Sequence, residues 1–134
     1  MKNSVIKVLI ADDQLIVRER LKQIVAEAFD TRVVGEATNG QQVLDLVRKD
    51  YWDVVLLDIN MPGKGGIATL KELKSEYPDI PVIVLSMYPE KQYATRIIKA
   101  GASVYLAKES ASQELISAIR KVAQGDKYIW ASAY

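Results

Sequence analysis

The chain contains no cysteine and no histidine. Without cysteine there are no disulfides and no thiolate metal sites, and a reducing cytoplasm is the simplest compartment. Without histidine the Ser/His and Cys/His hydrolase arrangements are excluded, as are the usual zinc sites. Charge of one sign is not in excess either, since 18 Lys and Arg against 17 Asp and Glu leave a formal +1. A nucleic-acid binder normally shows a clear basic stripe, so this segment alone is not expected to bind DNA. No apolar stretch approaches the roughly 18 residues needed to span a bilayer. Met1, Lys2, Asn3 and Ser4 lead directly into an apolar run, with no signal-peptide cleavage pattern. The expectation is a soluble, cytoplasmic chain with no membrane partner. Its 134 residues, 49% of them hydrophobic, suffice for one domain with a proper core.

Short apolar runs alternate with longer amphipathic segments from end to end. Residues 5–11 (VIKVLIA) read as a strand, after which Val17, Leu21, Ile24, Val25 and Ala28 recur at helical spacing. Residues 33–37 form a second short strand, followed by Asn39 and Gly40 as a helix start and by Val43, Leu46 and Val47 as its buried stripe. The continuous apolar run 54–57 suits a central strand covered on both faces. Ile67, Leu70, Leu73 and Tyr77 mark a third helix stopped by Pro78, and 82–85 a fourth strand. Ala94, Ile97, Ile98 and Gly101 mark the fourth helix and its end, and 104–107 the fifth strand. Ser110 with Gln113 reads as a capping box before Leu115, Ile119 and Val122 of the last helix. Five β-then-α units imply an α/β fold with a parallel sheet, because parallel neighbours need crossover connections.

In such a sheet ligands bind beyond the carboxyl ends of the strands. The residues standing there are Asp12 and Asp13 after the first strand, Asp58 after the third, Ser86 after the fourth and Lys108 after the fifth. Each alone has a plain structural reading: Asp13 as a helix cap, Asp58 as a turn initiator, Ser86 as a satisfied strand-end hydroxyl, Lys108 as a solvated charge. Together they do not. Three carboxylates in one crevice repel one another, and burial raises that penalty. A divalent cation gives them a reason to gather. Mg²⁺ is the ion expected, with Asp13 and Asp58 as direct ligands, the backbone carbonyl of Asn60 beside them, and Asp12 acting through water. A carboxylate can attack a phosphoryl group, and the charge then carried by the phosphoryl oxygens can be met by Mg²⁺, Lys108 and the Ser86 hydroxyl.

The acidic pair, the run D-x-x-M-P-G from Asp58 to Gly63, Ser86 and Lys108 resemble, in order, the motif of the receiver domains of bacterial two-component response regulators. The resemblance covers residues 5 to about 124. It implies a flavodoxin-like, doubly wound sheet of order 2-1-3-4-5 with five helices. It makes Asp58 the phosphoacceptor, Asp12 and Asp13 the acidic pair, Lys108 the phosphate-contacting lysine, Ser86 the switch hydroxyl and Tyr105 the switch aromatic. A sensor histidine kinase is the implied donor, homodimerisation on phosphorylation the implied response, and the domain is no enzyme beyond assisting its own phosphorylation and dephosphorylation. Segments such as VVGEATNGQQVL, IKAGASVYLAKES and IRKVAQGDKYI resemble the LuxR-type transcriptional subclass. On this reading residues 1–124 are the receiver and 125–134 a tail, or the start of a linker to a helix-turn-helix domain absent from the chain.

Other details stay open. Many receivers place a proline, after a cis peptide, behind the lysine; here Glu109 follows Lys108, and a cis bond would cost roughly 3 kcal/mol or more. Lys91, Arg96 and Lys99 on the fourth helix, with Tyr105 beside them, mark a candidate dimer or effector face, and apolar Tyr128, Ile129 and Trp130 favour a tail that packs on something. A stand-alone receiver is one alternative. A haloacid-dehalogenase-type phosphatase is another, but it needs a second aspartate two positions after its nucleophile, where this chain has Asn60. A nucleotide-binding module would want a glycine-rich loop where Ala11, Asp12, Asp13 and Gln14 stand.

Overall fold

The apolar period switches repeatedly between two and about 3.6, and the backbone follows it. A computed structural model describes residues 5–87 and 91–125, with 91–93 as backbone alone. The elements are β1 (Ile6–Ala11), α1 (Leu15–Ala26), β2 (Thr31–Ala37), α2 (Gly40–Lys49), β3 (Val54–Asp58), α3 (Gly66–Glu76), β4 (Val82–Ser86), α4 (Lys91–Lys99), β5 (Val104–Ala107), a 3₁₀ turn (Lys108–Ser110) and α5 (Ala111–Ala123). The five strands form one parallel sheet of order β2-β1-β3-β4-β5, as the resemblance implied. The chain steps outward from β1 to β2, then crosses back to β3 and on to β5. With right-handed crossovers, that reversal puts α1 on one face and α2, α3 and α4 on the other. The packing of α1 against α5 and of α2 against α3 agrees with it.

The central strands lie under helices on both faces, and every residue of β3 and β4 is buried. Edge strand β2 alternates exposed positions with buried or half-buried ones, whereas β5, at the other edge, is wholly buried between α4 and α5. Against β1 the register of β2 shifts between Val8 and Leu9, leaving Val34 as an extra residue. Next to it Gly35 lies under the Trp52 ring, which a Cβ would meet at 2.5 Å. Trp52 is itself fixed by its indole N–H, which donates to the Leu46 carbonyl at 3.0 Å.

Most sequence-derived elements recur, with some corrections. The second strand starts two residues earlier than expected, at Thr31, whose hydroxyl donates to the Val25 carbonyl at 2.7 Å. Ile98 is 40% exposed and does not join the buried stripe of α4. The capping box at Ser110 does not form. Ser110 has helical backbone (φ −91, ψ −4) as the last residue of the 3₁₀ turn, and a capping side chain needs an extended backbone there. Asn39 does cap α2, accepting from the Gln42 amide at 2.9 Å. Among the described residues every peptide bond is trans, Lys108–Glu109 included. Tyr128, Ile129 and Trp130 lie outside the described residues, as do nine of the ten tail positions 125–134.

The turn after β3 is held from below. Gly66, the first residue of α3, lies against the backbone of Ile59; a Cβ there would sit 2.5 Å from the Ile59 Cα and closer still to its carbonyl oxygen. Backbone cannot rotate aside as a side chain can. Gly66→Ala is therefore expected to destabilise the domain by about 1–3 kcal/mol, read as a lower urea midpoint, while Lys71→Ala on the exposed side of α3 leaves the midpoint unchanged.

Candidate functional site

The sheet brings the strand ends level. Ala11 pairs with Leu57 and Asp58 with Leu85, so Asp12 and Asp58 stand level at the carboxyl edge, where strand order reverses between β1 and β3, and Ser86 ends β4 one position further along. Lys108 reaches the same place from the end of β5. Asp12, Asp58 and Ser86 are buried, while Asp13 is exposed at the rim. Tyr105, two residues before the end of β5, is fully buried.

Local backbone geometry aims the carboxylates. The Asp12 amide donates to the Ala37 carbonyl at 3.0 Å, and its Oδ1 accepts from the Gln14 amide at 2.9 Å. Asp58 Oδ1 likewise accepts from the Asn60 amide at 3.1 Å. Both are side-chain-to-backbone turns spanning two residues, which aspartate forms readily. Gln14 occupies the N-cap position of α1, so Asp13 is not the helix cap and its carboxylate is not committed to that role.

One ammonium serves two buried anions. Lys108 Nζ lies 3.1 Å from Asp12 Oδ2 and 3.2 Å from Asp58 Oδ1. Burial pushes the Asp58 carboxyl above the ordinary carboxylate range; the Asn60 amide opposes this, the Asp12 charge adds to it and Lys108 draws it back. Burial alone would pull Lys108 down, but the charges of Asp58 and Asp12 outweigh it and hold the ammonium above its ordinary value. Asp12 Oδ2 remains buried without a directed hydrogen bond from the described residues, although Lys108 stands close as its counter-charge. One ammonium thus stands against two buried carboxylates, with the exposed Asp13 at the rim beside them.

The carboxylates themselves are grouped closely enough to share a cation. One oxygen from each of Asp12, Asp13 and Asp58 lies within 4.8 Å of the others. A cluster of hard oxygen donors, two buried and one at the rim, suits a hard divalent cation that keeps some of its water.

The description of the family matched by residues 8–120 is "Response regulator receiver domain". The chain belongs to this family. It is 41% identical over 124 residues to the transcriptional regulatory protein DegU of Brevibacillus brevis, covering 92% of this chain and 52% of that one. It is 37% identical over 124 residues to the response regulator UvrY of Escherichia coli K12, with coverages of 92% and 57%. The chain thus spans about half the length of the curated relatives it matches. Among solved structures, a two-component response regulator of the LuxR family from Aurantimonas sp. SI85-9A1 superposes with a TM-score of 0.91 at 27% identity, covering 97% of this chain and 93% of that one. The receiver domain of RcsB from Salmonella enterica serovar Typhimurium, solved with the phosphomimetic BeF3−, gives 0.88 at 25% identity, with coverages of 97% and 96%. The receiver assignment and its LuxR-type flavour, both read from sequence motifs, therefore hold.

Of the residues expected at this pocket, Asp12, Asp13 and Asp58 cluster at the carboxyl edge of the sheet and Lys108 contacts both Asp12 and Asp58. Sequence reasoning singled out no residue of α1 for the pocket itself. Arg18, one turn into that helix, nonetheless donates to the Asp12 carbonyl at 3.0 Å. An arginine six residues after an aspartate carries no spacing signal of its own, because the contact depends on where the helix sets off.

The raised pKa of Asp58 has a thermodynamic consequence with a definite sign. Its ionised form is disfavoured in the folded state, so its contribution to stability is full below the unfolded carboxylate pKa and lost as pH rises through the folded one. Asp58→Asn removes that loss. In metal-free buffer near neutral pH the variant is expected to melt higher than the wild type, the difference shrinking to nothing as pH falls below the ordinary carboxylate range. Thermal unfolding followed by circular dichroism from pH 8 to pH 3 reads both parts; a lower melting point at pH 7 contradicts the electrostatic account.

Proposed function

We propose that this domain is a signalling switch that accepts a phosphoryl group on Asp58 from a sensor histidine kinase. The observation that carries the reading is a buried aspartate at the sheet's crevice with an ammonium at 3.2 Å and two further carboxylates beside it. An Asp58 oxygen attacks phosphorus while the bond from phosphorus to the donor's imidazole nitrogen breaks. The electron pair leaves on that nitrogen, which takes a proton from water. Lys108 balances charge on the phosphoryl oxygens, and the Ser86 hydroxyl donates to one of them. Asp13, Asp58 and the Asn60 carbonyl would hold Mg²⁺ directly, with Asp12 through water. Bound there, Mg²⁺ supplies charge neutralisation and orientation to the transfer. The domain assists its own phosphorylation and dephosphorylation but turns over no separate substrate.

Ser86 and Tyr105 carry the switch. Both are fully buried on neighbouring strands, so a charged acceptor on Asp58 that draws in the Ser86 hydroxyl disturbs a packed layer and not a loose surface. Arg96 and Lys99, exposed on α4 next to β5, mark the face on which that change is read by a second copy or by an output domain. The output is transcriptional, through a helix-turn-helix domain beyond this segment. Support comes from the regulatory names and greater length of DegU and UvrY. A cytoplasmic location follows from that role, and no described helix is long and apolar enough to cross a membrane.

Two experiments test the reading. Incubation with Mg²⁺ and a small phosphodonor should add one acid-labile phosphate by intact mass, and Asp58→Asn should add none; equal labelling of the variant removes Asp58 from the role. Kinase docking is assigned to the exposed start of α1, where Ile16 is 79% exposed beside the pocket and exposed Arg20 follows one turn later. Ile16→Ser should slow transfer from the kinase at least several-fold and leave small-donor labelling intact. Parallel loss of both would place the defect in folding instead.

A further inference from the structure

The acidic pair is held by its peptide bond. Asp12 is fixed at its amide by Ala37, at Oδ1 by the Gln14 amide and at its carbonyl by the Arg18 guanidinium, at 3.0, 2.9 and 3.0 Å. That carbonyl belongs to the peptide joining Asp12 to Asp13. Asp13 is exposed at the rim, so its direction depends on the plane of this peptide. Arg18 is in turn aimed from the neighbouring strand. Its Nε donates to Glu36 Oε1 at 2.9 Å, and the other oxygen of Glu36 is held by Lys22 Nζ at 2.9 Å. Glu36 pairs with Ile10 in the sheet and is the penultimate residue of β2. The Arg18 side chain is only 13% exposed, so it is packed in place between helix and strand.

We infer that Arg18 is a positioning residue, which sets the plane of the Asp12–Asp13 peptide so that both carboxylates face Asp58, and that Glu36 is its anchor. The inference rests on the functional reading above, in which this pair receives Mg²⁺. A charge effect and a positional one have opposite signs here. A guanidinium beside a cation site repels the cation, so by charge alone its removal tightens binding. As a brace, its removal weakens binding, because the carboxylates must then be ordered at the moment the ion arrives.

Titration calorimetry with Mg²⁺ alone, on the full chain and its variants, decides between them. Arg18→Ala is expected to bind Mg²⁺ about ten-fold more weakly. Arg18→Lys, which can keep the contact to the carbonyl but not both contacts, should recover part of the loss. Glu36→Gln should weaken binding by less, and adding it to Arg18→Ala should weaken binding no further, since the anchor acts only through the arginine. A plain loss of the Glu36 charge would persist in the double variant. Small-donor phosphorylation gives a second readout: saturating Mg²⁺ should restore the Arg18→Ala rate, a shift in apparent Mg²⁺ affinity without loss of maximal rate. If Arg18→Ala unfolds, Arg18→Lys and Glu36→Gln carry the test. Unchanged or tighter Mg²⁺ binding in the folded variants overturns the brace alone, whereas absence of Mg²⁺ binding by the wild type overturns the functional reading and the brace with it.

Discussion

Asp12 and Asp58 are buried side by side and share the Lys108 ammonium, at 3.1 and 3.2 Å. Two like charges in a low-dielectric crevice repel each other and each loses its water, so the pair persists only with a cation from a third element. Lys108 supplies one charge against two. Burial first, and the neighbouring Asp12 charge after it, push the Asp58 carboxyl above its ordinary range. The same imbalance is what makes the site receptive. A divalent cation relieves it, and in the proposed reaction the charge that accumulates on a phosphoryl group meets positive groups already in place.

The remainder of the fold serves to hold this imbalance steady. Strand order 2-1-3-4-5 makes β1 and β3 neighbours, which is why residues 46 positions apart stand together at one edge. Buried β3 and β4 leave the strand ends little freedom. The turn beyond Asp58 is pressed against α3 at Gly66, where no side chain fits. On the other flank, helix α1 is tied to β2 through Arg18, Lys22 and Glu36, so the first acidic turn is anchored in the sheet as well as in its own helix. Packing keeps Asp58 buried, whereas Leu15, Ile16 and Met87, which follow the ends of β1 and β4 in the chain, are exposed.

Much of this arrangement is legible in the amino-acid sequence. The change of apolar period locates five strands and five helices to within a few residues, because buried strands and amphipathic helices obey different spacings. Asn39 marks its helix cap correctly. Ser110 does not, since its backbone conformation is dictated by the 3₁₀ turn that carries Lys108 into the pocket. Ile98 matches the helical stripe of α4 but lies at its margin, partly exposed, and a linear pattern cannot say how far the covering layer extends.

The sequence by itself determined the alternation of elements, the residue types at each strand end, and the motif order that marks a receiver. Those are properties of spacing and side-chain chemistry, carried along the chain. Tertiary structure decided which strand ends are level, that one lysine reaches two aspartates, that Asp13 stays at the rim while Asp12 and Asp58 sink, and that Arg18 turns back onto the Asp12 carbonyl. Such outcomes depend on sheet register, on helix direction and on the balance of desolvation against ion pairing, all of which are set only when distant segments are packed together.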